Sequence, residues 1–243
     1  MPYSHRKQNI ISHYDKLAGT RDSWIEKNSY FYNDDRNYMR FLVRPGQRIL
    51  EIGSGTGDLL AALAPAYGVG IDISIEMTRQ AEKKYPDLTF LQGDVEDAAF
   101  LRRIDGPFDI IILSDAIGFM DDCQTTLKSL HRLCTPQTRL IISYYSWLWE
   151  PMLKLAEKLS LKMPAKETNW LSSEDVTNFL SLAEFETVKV DWRQLLPKRF
   201  LGLEYPVNKF IGTLPVIRRA CLRNYLVARP LKSVKCAVRQ PRY

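Results

Sequence analysis

The sequence predicts an α/β fold: a seven-stranded, mostly parallel sheet with helices on both faces. Three observations predict it. Short apolar strands alternate with helical patterns along the 243-residue chain. One strand, FDIIIL at 108–113, is almost continuously apolar, as a central strand buried on both faces requires. The stretch ILEIGSGTGDLL, residues 49–60, ends an apolar run in a carboxylate and three alternating glycines before the next apolar run.

Each element follows from local chemistry. Residues 1–45, rich in Tyr, Asp and Asn, read as two helices forming a lid over the open edge of the core. The turn Arg44-Pro45-Gly46 precedes a first strand at 48–52. Further strands are expected at 69–73, at 89–92 after the breaker Pro86-Asp87, at 108–113 and at 139–143. Helices are expected at 58–63, at 75–85 with Ser74 as N-cap, at 121–133, at 150–161, and at 174–182 capped by Ser172 or Ser173. The last two strands are placed at 187–192 and 225–228. Between them, an insertion at about 196–223 holds Pro197, Pro206 and Pro215 and one or two short helices. The main domain thus spans 46–230, with a basic tail at 231–243.

Composition narrows the function. Hydrophobic residues at 45% and charged residues at 26% are those of an ordinary globular protein. No run approaches the roughly 18 apolar residues of a membrane-spanning helix, and the polar start carries no secretory signal. Four cysteines without a CxxC pair and three histidines argue against a metal site or a disulfide framework, so a reducing cytoplasm is expected. Residues 1–195 carry 23 Lys+Arg against 27 Asp+Glu; residues 196–243 carry 11 against Glu204 alone. A basic end on a mildly acidic body suits an anionic partner: a membrane surface, a nucleic acid or a phosphorylated substrate. A solvated tail is the alternative for the last dozen residues.

Glycine lets a ligand approach the backbone, and a strand-to-helix turn points free N–H groups at it. Gly53, Gly55 and Gly57 therefore mark a nucleotide-type cradle at the carboxyl end of the sheet. The absence of Gly-Lys-Ser/Thr excludes a P-loop, and the one-residue glycine spacing fits a dinucleotide fingerprint poorly. Asp72 ends the second strand, where a carboxylate can take both ribose hydroxyls. Asp94 follows the third strand, where an acid can receive a base's amino group.

Together EIGSGTG, GVGIDIS, LQGDVED and FDIIILSDAIGF resemble the ordered motifs of class I S-adenosylmethionine-dependent methyltransferases, over about 47–143. The resemblance implies a Rossmann-like sheet ordered 3-2-1-4-5-7-6 with the seventh strand antiparallel. It implies that Glu51, Gly53, Ser54, Gly55 and Gly57 line the methionine part and ribose. Asp72 would hold the ribose, Ile73 pack on adenine, Asp94 and the Val95 backbone bind it, and Ser114 present its carbonyl to the ammonium. Tyr14, in Ser12-His13-Tyr14-Asp15, is similar to a lid residue that closes over the cofactor; ordinary packing is the alternative.

Methyl transfer from a sulfonium is an in-line displacement that demands alignment and a dry pocket. A hydroxyl acceptor also needs a base, for which His13 and Asp115 are the candidates; capping or cofactor contact is the alternative for Asp115. Tyr144, Tyr145, Trp147 and Trp170 are expected to shape the acceptor pocket. Lys154, Lys158 and Lys162 would share one face of a helix, and Arg218, Arg219 and Arg223 would meet an anionic membrane surface. The segments NWLSSED and LVARP faintly resemble methyltransferase domains associated with polyprenyl-phosphate glycosyltransferases. The leading expectation is O-methylation of a small-molecule or lipid-linked acceptor by a cytoplasmic, membrane-associated enzyme. An RNA methyltransferase using the basic end and a non-catalytic cofactor-binding scaffold are the alternatives.

Overall fold

The computed structural model describes residues 3–199 and 201–231. Seven strands form one sheet: β1 (Arg48–Ile52), β2 (Tyr67–Asp72), β3 (Thr89–Gln92), β4 (Phe108–Ser114), β5 (Cys134–Tyr145), β6 (Phe185–Arg193) and β7 (Arg223–Pro230). Their order is β3-β2-β1-β4-β5-β7-β6. The first five run parallel, while β7 is antiparallel to both β5 and β6. Sheet order and strand sense agree with the expected fold.

Alternation along the strands divides the core. Leu50, Ile52, Val69, Ile71, Ile111 and Leu113 point to one face. There they meet α6 (Ala98–Leu101), α7 (Cys123–Ser129) and α9 (Ser173–Leu182) through Leu101, Leu127, Val176 and Leu180. Ile49, Ile110, Ile112 and Ile141 point to the other face, which α3 (Ser29–Leu42) covers through Tyr38 and Met39. On that same face lie α4 (Asp58–Ala62) and α5 (Ile75–Lys84), through Leu60 and Ala81. Ser74 caps α5 by accepting from the Met77 N–H, and Ser172 closes a capping box with Asp175 on α9.

Four details differ from expectation. The N-terminal region holds three α-helices, α1 (His5–Leu17), α2 (Arg21–Lys27) and α3, and α3 covers a sheet face, not an edge, because Met39 and Val43 supply an apolar stripe. β5 is twelve residues long, since β4 and β7 pair with it on either side. The helix after β5, α8 (Glu150–Lys158), stops before Lys162. The insertion consists of short helical turns at Glu204–Pro206, Val207–Ile211 and Ile217–Ala220, and it ends where β7 takes up Arg223. The basic tail from 232 onward lies outside the described residues, as does Cys236. Cys123, Cys134 and Cys221 are free thiols. No described helix is long and apolar enough to cross a membrane.

Candidate active site

The glycine loop turns sharply because its residues occupy the left-handed region: φ is +75° at Gly53, +53° at Gly55 and +81° at Gly57. Gly53 also sits against the loop after β4, where an added Cβ would stand 2.8 Å from the Ala116 Cβ. The Gly53 and Ser54 N–H groups both donate to the Ile71 carbonyl, locking β1 to β2 at the turn. Asp72 then ties the loop to α5, accepting from the Gly55 N–H at 2.8 Å and the Ser74 N–H at 2.9 Å. Burial raises the Asp72 pKa, and those two N–H groups oppose the shift.

Beside this loop lies a cavity of about 220 Å³, far above the ~10–15 Å³ that one water needs. At one end stand Asp72, Ile73, Met77, Asp94 and Val95; at the other, Tyr144, Tyr145, Met163 and Trp170. Gly53, Gly55, Ser114 and Asp115 lie between, and Tyr14 on α1 lines the wall. A smaller polar hollow of about 50 Å³ adjoins it, lined by Arg21, Glu51, Ser54, Asp115 and Arg223 among others.

Two buried atoms bordering this hollow lack partners. Glu51 is 2% exposed; the Leu60 N–H reaches its carboxyl, yet Oε2 has no hydrogen bond. Burial pushes its pKa well above the usual range, and the carboxylates of Asp35 and Asp58 add to the shift. The Arg21 Nε is likewise shielded and unpartnered, and the guanidinium lies 3.4 Å from where a Gly55 Cβ would stand. A buried carboxyl and a buried guanidinium, each with one unpartnered atom and flanking one loop, fit the ammonium and carboxylate of an α-amino acid. The sequence reading missed Arg21, which belongs to α2 of the lid region and carries no motif.

Helix α1 closes over the Asp94 end of the cavity. Lys7 pairs with Asp94 and, at 2.7 Å, with Glu96. Burial pulls the Lys7 pKa down, but hydrogen bonds to both carboxylates outweigh it and raise the value. Arg6 donates to the Phe119, Gly118 and Glu167 carbonyls, and Asp15 accepts from the Ser74 hydroxyl at 2.5 Å. Tyr14 therefore faces inward, and burial holds its phenol neutral by raising its pKa.

The structure brings Tyr14, Gly53, Gly55, Asp72, Ile73, Asp94, Val95, Ser114, Asp115, Tyr144, Tyr145 and Trp170 together around the main cavity, with Glu51 and Ser54 at the adjoining hollow. Four expectations need correction. His13 is absent from the lining: next to Tyr14 on a helix it is turned about 100° away, and its Nε2 lies 3.0 Å from the Pro164 carbonyl. Trp147 is 52% exposed on the turn after β5 and lines neither space. Gly57 also lines neither; it starts α4, and a Cβ there would strike the Phe90 ring at 2.6 Å. Arg223 is not on the surface but 1% exposed, ion-paired to Asp35 at 2.9 Å and to Asp115 at 2.6 Å. Its guanidinium also donates to the Ser114 and Ser143 hydroxyls. Burial disfavours that charge, but the two carboxylates outweigh it and raise the Arg223 pKa well above the ordinary value. Lys162, beyond the end of α8, lines the cavity and pairs with Glu157 at 2.7 Å. Among the described residues no cluster of three or more His, Cys, Asp or Glu could hold a metal.

Comparison with known proteins agrees with this geometry. Residues 44–193 match the family described as "Methyltransferase domain". The chain is 32% identical over 151 residues to the ubiquinone/menaquinone biosynthesis C-methyltransferase UbiE of Teredinibacter turnerae, covering 58% of this chain and 60% of that protein. It is 34% identical over 112 residues to the demethylmenaquinone methyltransferase of Streptomyces avermitilis, covering 45% and 47%. The chain thus spans about half to three-fifths of the length of these curated relatives. A solved S-adenosylmethionine-dependent methyltransferase from Thermotoga maritima shares the fold with a TM-score of 0.66 and 19% identity, covering 90% of this chain and 98% of that one. With a methyltransferase-domain match over more than half its length, the expected motifs and the expected sheet order, the chain belongs to the class I S-adenosylmethionine-dependent methyltransferases.

Proposed function

We propose that this chain transfers a methyl group from S-adenosylmethionine to an apolar, electron-rich ring of the phenol type, free or carried on a lipid. The observation that carries the reading is the pair of buried, partly unpartnered groups, Glu51 and Arg21, flanking a glycine loop whose cavity continues to aromatic side chains. Glu51 would take the cofactor's ammonium and Arg21 its carboxylate. Asp72 would hold the ribose hydroxyls, Ile73 would pack on the adenine and Asp94 would accept from its amino group. The cofactor supplies an activated methyl on a sulfonium. The chain supplies alignment and dryness: Tyr14 and α1 close one side, and Tyr144, Tyr145 and Trp170 present ring faces and edges to the acceptor.

Asp115 would receive the acceptor's proton; it lines the cavity at a φ of +56° and pairs with Arg223 at 2.6 Å. His13, turned to Pro164, takes no part. A phenol suits this arrangement, because loss of its proton activates both the oxygen and the neighbouring ring carbon. O-methylation was the expectation from sequence; the name of the Teredinibacter turnerae relative records C-methylation, and a phenol-type ring accommodates either outcome. Arg218 and Arg219, on the insertion, would draw an anionic membrane bearing a lipid-carried acceptor.

The test incubates the protein with methyl-labelled cofactor and three acceptor pools: simple phenols, a lipid extract containing prenylated phenols, and total RNA. Label in the phenol or lipid pool, lost in Asp115→Asn, supports the reading. Label in RNA alone, or cofactor binding without transfer to any pool, overturns it.

A further inference from the structure

We propose that the outer side of α8 and the adjoining insertion form a seat for an anionic bilayer surface, which brings the mouth of the cavity to headgroup level. The inference deepens the lipid-carried form of the proposed function and takes its purpose from that reading.

Exposed large apolar side chains concentrate here. Of 19 among the described residues, 13 lie within 147–161 and 201–216. Leu201 is 90% exposed, Val216 85% and Phe210 63%. On α8 and its C-cap, Met152, Leu155 and Leu159 recur at helical spacing on the exposed side, while Leu153 packs inward against Phe31 and Leu222. The two pieces meet near both ends of α8. The Trp149 Nε1–H donates to the Ala220 carbonyl at 2.8 Å just before α8, and Lys198 donates to the Leu161 carbonyl at 3.4 Å just beyond it. Such concentration is unlike singly scattered surface apolars and marks an interaction surface.

The charges on the same pieces identify the partner. From 196 to 222 the chain carries Lys198, Arg199, Lys209, Arg218 and Arg219 against Glu204 alone. On and beside α8, Glu150 pairs with Lys154 and Glu157 with Lys162, so these acids add no net negative field. Apolar side chains interleaved with cations match the boundary between acyl chains and anionic headgroups. A second copy fits less well, because a two-fold interface would set this basic patch against itself. An RNA backbone would match the cations but leave the exposed leucines and Val216 unused.

The seat is continuous with the cavity. Trp170 lines the cavity and packs in the same apolar cluster as Phe31, Leu153, Leu222 and Trp149, and Met163, five residues past α8, lines the cavity wall. A lipid-carried ring leaving the bilayer here would reach the acceptor end along apolar side chains.

Co-sedimentation of the full chain tests this with vesicles of phosphatidylcholine alone and of phosphatidylcholine with phosphatidylglycerol, without acceptor or cofactor. The expected result is binding to the mixed vesicles. It should weaken about 30-fold in Arg218→Ala/Arg219→Ala, at roughly fivefold for each cation near an anionic leaflet. It should weaken again in Met152→Ser/Leu155→Ser/Val216→Ser, with binding of S-adenosylhomocysteine and thermal unfolding unchanged in both. Failure to bind mixed vesicles overturns the inference, as does binding untouched in both variants, which would assign it to the basic residues after 231. A protein that dimerises through this face, or binds RNA and not vesicles, overturns it too. Loss of cofactor binding in the wild-type chain would instead strike the proposed function, so the two failures are separable.

Discussion

Replacing Glu51 by Gln keeps the side chain's shape and removes its charge. In the wild-type protein this carboxyl is buried, reached by the Leu60 N–H and pushed to a raised pKa, with Oε2 unpartnered. Above its ordinary value of 4.5, the folded protein therefore retains a proton that the unfolded chain has released. Through Glu51, wild-type stability falls as pH rises from there toward the folded pKa, and Glu51→Gln should remove that part of the slope and raise the melting temperature at neutral pH. Binding moves the opposite way. The cofactor's ammonium requires the ionised carboxylate, so wild-type affinity should rise with pH as the proton leaves. The variant exchanges a charge-assisted hydrogen bond for a neutral one. Losing a bond of that kind is worth about 1.5–3 kcal/mol, or roughly 10- to 150-fold in dissociation constant. Isothermal titration with S-adenosylhomocysteine across the pH range, paired with thermal unfolding, reads both effects. A dissociation constant within about twofold of wild type and insensitive to pH would refute the assignment of Glu51 to the ammonium.

Gly53→Ala sets a Cβ 2.8 Å from that of Ala116 at a φ of +75°. A strain of about 1–3 kcal/mol should lower the melting temperature, and cofactor titration should give no heat. Arg223→Met leaves Asp35 and Asp115 without their buried partner. Urea unfolding should show a loss of about 3–5 kcal/mol, much of it recovered if Asp35→Asn is added. Trp170→Ala trims the acceptor end of the cavity and leaves the glycine loop intact. Steady-state kinetics should show a raised KM for the acceptor with cofactor affinity unchanged.

The motifs that carry the cofactor site were legible in sequence because they are local. Each is a strand end followed by a few residues whose backbone or carboxylate meets the ligand. Thus Gly53, Asp72 and Asp94 sit where the strand pattern puts them, at the ends of β1, β2 and β3. The almost continuous apolar run at 108–113 likewise specified a central strand, since only a strand covered on both faces can bury so many consecutive apolar side chains.

Tertiary closure decided the rest. Arg223 reads in sequence as the last of a basic run with Arg218 and Arg219; pairing of Arg223 with Tyr145 in the β5–β7 register carries it into the core, where Asp35 from α3 and Asp115 from the β4 loop meet its charge. In sequence His13 is a candidate base and Tyr14 a candidate lid residue, and only the docking of α1 on Asp94, Glu96 and Ser74 selects which one faces the cavity. Arg21 has no motif at all, because its role depends on α2 folding back to within reach of Gly55 from 34 residues away in the chain. Short-range pattern determined the sheet and the nucleotide cradle. Charges that must be neutralised on burial, or left unpaired for a ligand, find their places only when distant segments pack.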